Sequence, residues 1–319
     1  MSESSYLPRT LLPALGLTVV LALMLTLAGP VPESHAARSR MTNGCIVTAR
    51  GIPSCGAYVG AAYGGNASVT AWERRMGRQL GVHRTFWGGD DVTDAINTAR
   101  SDAAHHRLPW ISFKTPYVWS QMARGRGDAW ARGIARAIRT IPGPVWVAIH
   151  HEPEGDGRIA QWTAMQKRLA PIMRRAAPNL GYTIILTGYN QFHGPAQYRL
   201  NRLWPRTKID VAGFDLYEEY GRQGRYKWRD FYRSYFTPIG RWARQKRVAW
   251  GLAETGYSIA AARKQPQWMR KVYSQMVRRG GKAFSYFNTN LNSTADWRLN
   301  AAIKQAAFNR LIRIAPRLR

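Results

Sequence analysis

The feature that most constrains this chain is an alternation. Eight short runs of apolar, β-branched and aromatic residues recur, nearly all followed by a longer segment of helical character. The runs are AYVGAAY (57–63), VHRTFW (82–87), LPWISFK (108–114), VWVAIHH (145–151), YTIILTGY (182–189), KIDVAGFDLY (208–217), RVAWGLAETGY (247–257) and KAFSYFNTN (282–290). A strand wetted on one face alternates apolar and polar residues. These are apolar nearly throughout, so both faces must be covered. Intervening helices supply that cover and make the strands parallel. After VWVAIHH, residues Ile159, Trp162, Leu169, Ile172 and Met173 fall at three- to four-residue steps or their sums, the spacing of a helix with one apolar face. Further helices are expected near 229–244, 266–279 and 299–313, while the stretch after the fifth run reads as irregular. Eight such units fit a closed (β/α)8 barrel (TIM barrel) better than an open doubly wound sheet. No G-x-G-x-x-G turn follows any run, which removes the main support for a nucleotide-binding fold.

The barrel accounts for residues 37–319. Residues 11–28, LLPALGLTVVLALMLTLA, are uniformly apolar, follow Arg9 and lead to Ser34-His35-Ala36, a small-x-small pattern. Residues 1–36 therefore read as a signal peptide cleaved after Ala36. The run is also long enough to remain as an uncleaved anchor. Either way the remainder is exported, to be secreted or held at the cell surface. The two cysteines, Cys45 and Cys55, are expected to form a disulfide in that oxidising setting. Closing so short a loop stabilises by ~3 kcal/mol in the chain-entropy model.

The formal net charge is +29. Basic residues are spread through most of the helical segments, with no nucleic-acid-binding motif, so nucleic acid is not an expected partner. Anionic cell-envelope polymers are the partners that such a surface would attract, with general solubility as the alternative. Exposed charge acts only over about 8–10 Å at physiological salt.

Polar groups gather at the C-terminal ends of the apolar runs, where a parallel barrel builds its active site. The fourth run ends in His150-His151-Glu152-Pro153-Glu154, and the seventh in Glu254-Thr255-Gly256. Others end in Arg84, Trp87, Lys114, Asn190, Asp215, Tyr217, Phe287 and Asn288. Buried carboxylates are costly unless paired or functional. A carboxylate on each of two strands suits glycoside hydrolysis, one protonating the leaving oxygen and the other attacking the anomeric carbon. Glu152 is the expected acid/base, with Glu154 as its alternative, and Glu254 the nucleophile held ionised by Arg84. Histidines 150 and 151 orient neighbours or touch sugar. Lys114 needs an anionic partner or substrate. Asp215 reads as a hydrogen-bonding residue of the barrel interior, and Glu218 and Glu219 as solvated. In YEEYGRQGRYKWRDFYRSYF (217–236), Trp228, Phe231, Tyr232 and Tyr235 suit the packed face of a helix, leaving Tyr220 and Tyr226 as substrate contacts. The His and carboxylate residues lack metal-ligand spacing, so neither a metal nor a cofactor is expected, and metal-dependent deacetylation is disfavoured.

The pattern resembles the retaining glycoside hydrolases of the large (β/α)8 clan, and within it family 26, which includes β-mannanases and β-1,3-xylanases. The resemblance rests on His151-Glu152 at the fourth strand, Glu254 in GLAETG at the seventh and Tyr217 in GFDLYEEY at the sixth. It implies acid/base, nucleophile and aromatic-hydroxyl roles for Glu152, Glu254 and Tyr217. Two departures bear on specificity. Pro153-Glu154-Gly155 stands where family mannanases carry a Met-Asn-Gly type stretch, and FSYFNTN lacks a tryptophan at the tip of the eighth strand. Phe287 or Trp297 would have to provide a sugar-stacking surface. The implied protein is a monomeric, endo-acting β-glycosidase taking mannan, xylan or a related polysaccharide. The alternative is a catalytically silent barrel that binds envelope carbohydrate.

Intact-mass analysis of the exported protein checks the two covalent expectations. The chain should begin at Ala37 and be two hydrogen atoms lighter than its reduced form; two free thiols in non-reduced material would exclude the bridge.

Overall fold

The computed structural model describes residues 39–291, 293 and 295–319. The expected signal peptide, residues 1–36, lies outside the described residues. Eight parallel strands close in sequence order: β1 (Tyr58–Tyr63), β2 (Val82–Trp87), β3 (Leu108–Phe113), β4 (Val145–Ile149), β5 (Leu180–Leu186), β6 (Val211–Glu218), β7 (Ala249–Tyr257) and β8 (Gly281–Asn288). The last pairs with the first, from Tyr58↔Ala283 to Tyr63↔Asn288. The expected (β/α)8 barrel is the observed fold.

The helices cover the outside. They are α1 (Thr70–Met76), α2 (Val92–Ala104), α3 (Trp119–Ala123), α4 (Asp128–Arg139), α5 (Ile159–Ala176), α6 (Tyr189–His193), α7 (Leu200–Leu203), α8 (Thr237–Lys246), α9 (Ile259–Lys264), α10 (Trp268–Arg278) and α11 (Ala302–Ile314). In α5 the predicted stripe holds, with Trp162, Leu169 and Met173 fully buried. The stretch after β5 is less irregular than its sequence suggests, since it forms α6, a 3-10 turn and α7. The segment before α8 winds as a π-helix over Tyr232–Phe236, which buries Tyr235 and Phe236 while Phe231 packs at its start. Among the described residues no helix is long and apolar enough to cross a membrane.

Two apolar layers result. One lies between sheet and helices; the other fills the barrel with Tyr58, Val82, Trp110, Trp146, Ile185 and Ala253. Met41, Cys45, Val47 and Leu318 join the inner layer from below. There the Cys45–Cys55 disulfide staples a segment whose Met41 bridges Leu318 next to the C-terminus. This plug closes the N-terminal face of the barrel and leaves the opposite rim open for chemistry.

The inner tryptophans need room. Trp110 and Trp146 meet edge-to-face, with centroids 5.0 Å apart. A Cβ on Gly213 would lie 2.8 Å from side-chain atoms of Ala253 and Ile185 and 2.9 Å from the Trp110 ring. Glycine is required here for close approach, not for backbone freedom. Gly213→Ala should therefore cost about 1–3 kcal/mol by overpacking. Urea unfolding checks this, and an unchanged midpoint would contradict the packing account.

Candidate active site

Two glutamates reach the open rim by different backbone devices. Along β6 and β7, Phe214 pairs with Leu252, yet the next pair is Asp215 with Glu254. Ala253 is the extra residue of a bulge. Strict alternation would carry Ala253 inward and Glu254 out to the helices. The bulge instead directs both inward: Ala253 packs in the inner layer, and Glu254 Oε1 lies 3.8 Å from Arg84.

At β4 the chain leaves the sheet while staying tied to both neighbours. The His150 backbone N–H donates to Phe113 O of β3 at 2.7 Å, and that of Glu152 to Ile185 O of β5 at 2.9 Å. His150 and Glu152 have φ of 54° and 48°. Positive φ is uncommon outside glycine, and such strain gathers at functional sites.

Beneath the glutamates lies Arg84, fully buried. Its Nη1 donates to Thr85 O at 2.9 Å, and its guanidinium sits 4.2 Å from the Phe86 centroid. Above it, the Tyr217 hydroxyl donates to Glu254 Oε2 at 2.8 Å. Neither carboxylate oxygen of Asp215 has a hydrogen-bond donor among the described residues, although both are buried close to Glu152 and Glu254. Burial is the main influence on all three carboxyls and raises each above its ordinary range. Their mutual repulsion adds to it for Glu254 and Asp215, and Glu154 adds to it for Glu152. Arg84 opposes the rise without cancelling it. The expectation that Arg84 alone keeps Glu254 ionised is thus corrected: the ion pair exists, but burial and Glu152 outweigh it.

Other expected residues surround a cleft of about 540 Å³. Trp87, Lys114, His151, Tyr217, Phe287 and Trp297 line it together with Glu152, Glu154 and Glu254. His151 is held neutral by burial, next to Arg84 and Lys114. Lys114 finds its anionic partner in Asp156 at 3.2 Å, and His150 Nε2 lies 2.9 Å from the same oxygen. Trp297 is nearly buried, stacked on Tyr217 with centroids 4.8 Å apart and with the Arg222 guanidinium 4.9 Å from its ring. Its carbonyl accepts from Tyr286 Oη at 2.7 Å and from buried Lys304 Nζ at 2.8 Å. The indole thus braces the wall of the cleft.

Several expected positions differ. Asn190 is not among the residues lining the cleft; its amide donates to Thr187 Oγ1 at 3.1 Å. Glu154 turns toward α6, accepting from Thr187 N at 3.3 Å and from Gln191 Nε2. Asp215 belongs to the carboxyl cluster. Glu218 is fully buried, and Glu219 is paired with arginines, so neither is solvated. Tyr220 stacks on Trp228 at 4.6 Å, whereas Tyr226 is exposed. The sequence reading missed Asp156 and Glu219 as cleft residues. Asp215 was within reach, since Tyr217 two residues later shares its face of β6. Among the described residues, no group of three or more His, Cys, Asp or Glu could hold a metal ion.

No protein-family model matches the chain, and comparison with curated proteins finds no match. Solved structures do match. A GH26 β-mannanase from Bacteroides ovatus is 13% identical over 82% of this chain and 89% of its own, with a TM-score of 0.56. An endo-β-1,4-mannanase double mutant from Cellulomonas fimi is 15% identical over 80% and 70%, TM-score 0.54. Thermotoga maritima Cel5A, solved with mannotriose, is 13% identical over 80% and 96%, TM-score 0.57. The protein has the (β/α)8 fold of these glycoside hydrolases, and at such identities the likeness extends to the fold alone.

Glu154 gives a clean test of the buried charge. Burial pushes its carboxyl up to about 7. Because the folded value exceeds the unfolded one, its stabilising contribution is complete below about pH 4.3 and lost as pH rises through 7. Glu154→Gln removes that loss. The variant should gain roughly 3–4 kcal/mol over the parent above pH 8, relative to their difference at pH 4. Denaturant unfolding across this range checks it, and a pH-independent difference would contradict it.

Proposed function

We propose that the protein is an exported, monomeric retaining β-glycosidase that cleaves a β-linked polysaccharide internally, with Glu254 as nucleophile and Glu152 as acid/base. The observation that carries this reading is the pair of buried glutamates at the tips of β4 and β7, facing one cleft over a single buried arginine. Glycosyl transfer needs one carboxyl protonated and one ionised. Burial and the neighbouring Glu154 raise the Glu152 carboxyl, which supports Glu152 as the donor to the leaving oxygen. The Tyr217 hydroxyl on Glu254 Oε2 leaves the other carboxylate oxygen for attack on the anomeric carbon. A glycosyl-enzyme forms, and Glu152, now ionised, takes a proton from the water that releases it. Glu154 is occupied by Thr187 and Gln191, which favours Glu152 over it.

The fold shared with mannanases and Cel5A supports the reaction class. Internal cleavage is supported by the extent of the cleft: Thr187, Tyr217 and Glu219 border both the catalytic chamber and a second hollow beyond it. Mannan, xylan or a related glycan fits this chemistry, with no cofactor needed. The basic surface suits retention at anionic envelope polymers. A purely binding barrel would gain nothing from three carboxyls held at such cost.

Reducing-sugar release over mannan, xylan and mixed-linkage glucan tests the reading. Glu254→Ala should abolish turnover of every substrate. Glu152→Ala should slow polysaccharide cleavage far more than cleavage of aryl glycosides with good leaving groups. Products should retain anomeric configuration, and an experimental structure should place the carboxyls roughly 5–5.5 Å apart. Since burial raises Glu254, kcat/KM should fall as pH drops through a value above the ordinary ~4.3 of glutamate. Inverted product, or full activity in Glu254→Ala, would sink the assignment.

A further inference from the structure

Charge is polarised along the cleft. Among the described residues, the catalytic chamber is lined by Glu152, Glu154, Asp156, Glu219 and Glu254 against one cation, Lys114. Beyond Tyr217 lies a hollow of about 370 Å³, whose lining includes Thr187, Tyr189, Glu219, Arg225 and Arg229. Glu219 is the hinge between the two. Arg222 Nη1 donates to its Oε1 at 3.0 Å, Arg229 Nη2 to its Oε2 at 2.8 Å, and Arg225 Nη1 lies 3.6 Å away. Three guanidiniums thus share one carboxylate. The other acid of this hollow, Asp215, is kept toward its neutral form by burial and by its two glutamate neighbours. Positive charge is left in excess on this wall.

The wall is built rather than incidental. Glu218, fully buried, accepts from the backbone N–H of Tyr220 at 3.0 Å and of Arg229 at 3.1 Å, pinning both ends of the loop. Within it, Arg222 and Arg225 form an antiparallel bridge, and Gly221 N donates to Arg225 O at 2.6 Å. The Arg229 guanidinium lies 5.1 Å from the Tyr189 ring. Each guanidinium carries five N–H donors, and one carboxylate accepts about four hydrogen bonds. Arg229 also donates from Nη1 to Tyr235 Oη at 3.4 Å, and the Arg225 side chain makes only its longer contact with Glu219. Both therefore line the hollow with N–H donors to spare, and guanidinium donors match the paired oxygens of a carboxylate or phosphate.

We propose that the Arg225–Arg229 end of the cleft is a subsite for a sugar residue bearing an oxyanion, so that the preferred substrate is an acidic rather than a neutral glycan. This rests on the glycosidase reading for its consequence in turnover, but not for binding. The carboxylate of a uronic acid and a phosphate ester share the chemistry recognised. The described lining of the catalytic chamber offers either group no unpaired cation, its Lys114 being bound to Asp156, so the substrate is set in one direction and register along the cleft.

Calorimetry on the Glu254→Gln protein at physiological salt tests the subsite with four probes. These are oligosaccharides of a uronate-bearing xylan, the same after carboxyl reduction, and phosphomannan oligosaccharides before and after phosphatase treatment. At least one charged member should bind ten-fold or more tightly than its uncharged counterpart, and which pair responds identifies the oxyanion. Adding Arg225→Gln and Arg229→Gln should abolish that preference. Adding Arg136→Gln and Arg139→Gln instead, in the last turn of α4 next to the N-terminal end of β4, should preserve it. Equal affinity within both pairs, no binding of any probe, or equal loss of preference in the α4 variant would overturn the proposal. Hydrolysis by the unsubstituted protein is scored separately. Charge preference without hydrolysis refutes the enzyme reading alone; hydrolysis without charge preference refutes the subsite alone.

Discussion

Burying the guanidinium of Arg84 inside the barrel carries a desolvation cost that the carboxyls above it offset, Glu254 first among them. Those carboxyls are themselves buried, and they outnumber it. With one cation beneath Glu152, Asp215 and Glu254, all three cannot be ionised together, so a proton is retained among them. The strained turn after β4 and the bulge in β7 both serve to bring side chains to this one point. Chemically similar groups are thereby moved away from their ordinary titration range by placement alone.

The support for that point is a barrel packed solid below it. Trp110 and Trp146 fill the interior at the level where Gly213 and Gly181 lack side chains. The disulfide-stapled plug seals the far face. Such packing gives the carboxyls little freedom to move apart and relieve their repulsion. Outside the rim, Tyr286 and Lys304 fix the carbonyl of Trp297, and its indole braces Tyr217, which in turn holds Glu254. Positioning thus runs from an outer helix to the Glu254 carboxyl through four side chains.

How much of this could be read from the sequence follows from which interactions are local. Strands were legible because each is apolar on both faces, and their parallel closure follows from the helices between them. Glu152 and Glu254 were legible as charges ending such strands, and Cys45 with Cys55 as an isolated pair. The π-helical start of α8 left no distinct signal, because its aromatic spacing suits an ordinary helix equally well. Glu218 looked solvated because its two backbone donors, Tyr220 and Arg229, depend on how the loop folds back. The effect of Arg84 on Glu254 was misjudged because an ion pair can be inferred from residue types, whereas depth of burial cannot. Asn190 sits just past β5, yet α6 begins at Tyr189 and carries it away from the rim.

The bulge at Ala253 carries a consequence for how function could be lost. With one residue inserted opposite it, between Phe214 and Asp215 of β6, the β6–β7 ladder would run in regular register and Glu254 would face the helix layer, away from Arg84. Every residue associated with chemistry would still be present, in order, with the motif GLAETG unchanged. Inheritance of activity in such a lineage would be invisible to residue-by-residue comparison. It is the parity of a strand, odd or even, that would separate a working descendant from a silent one.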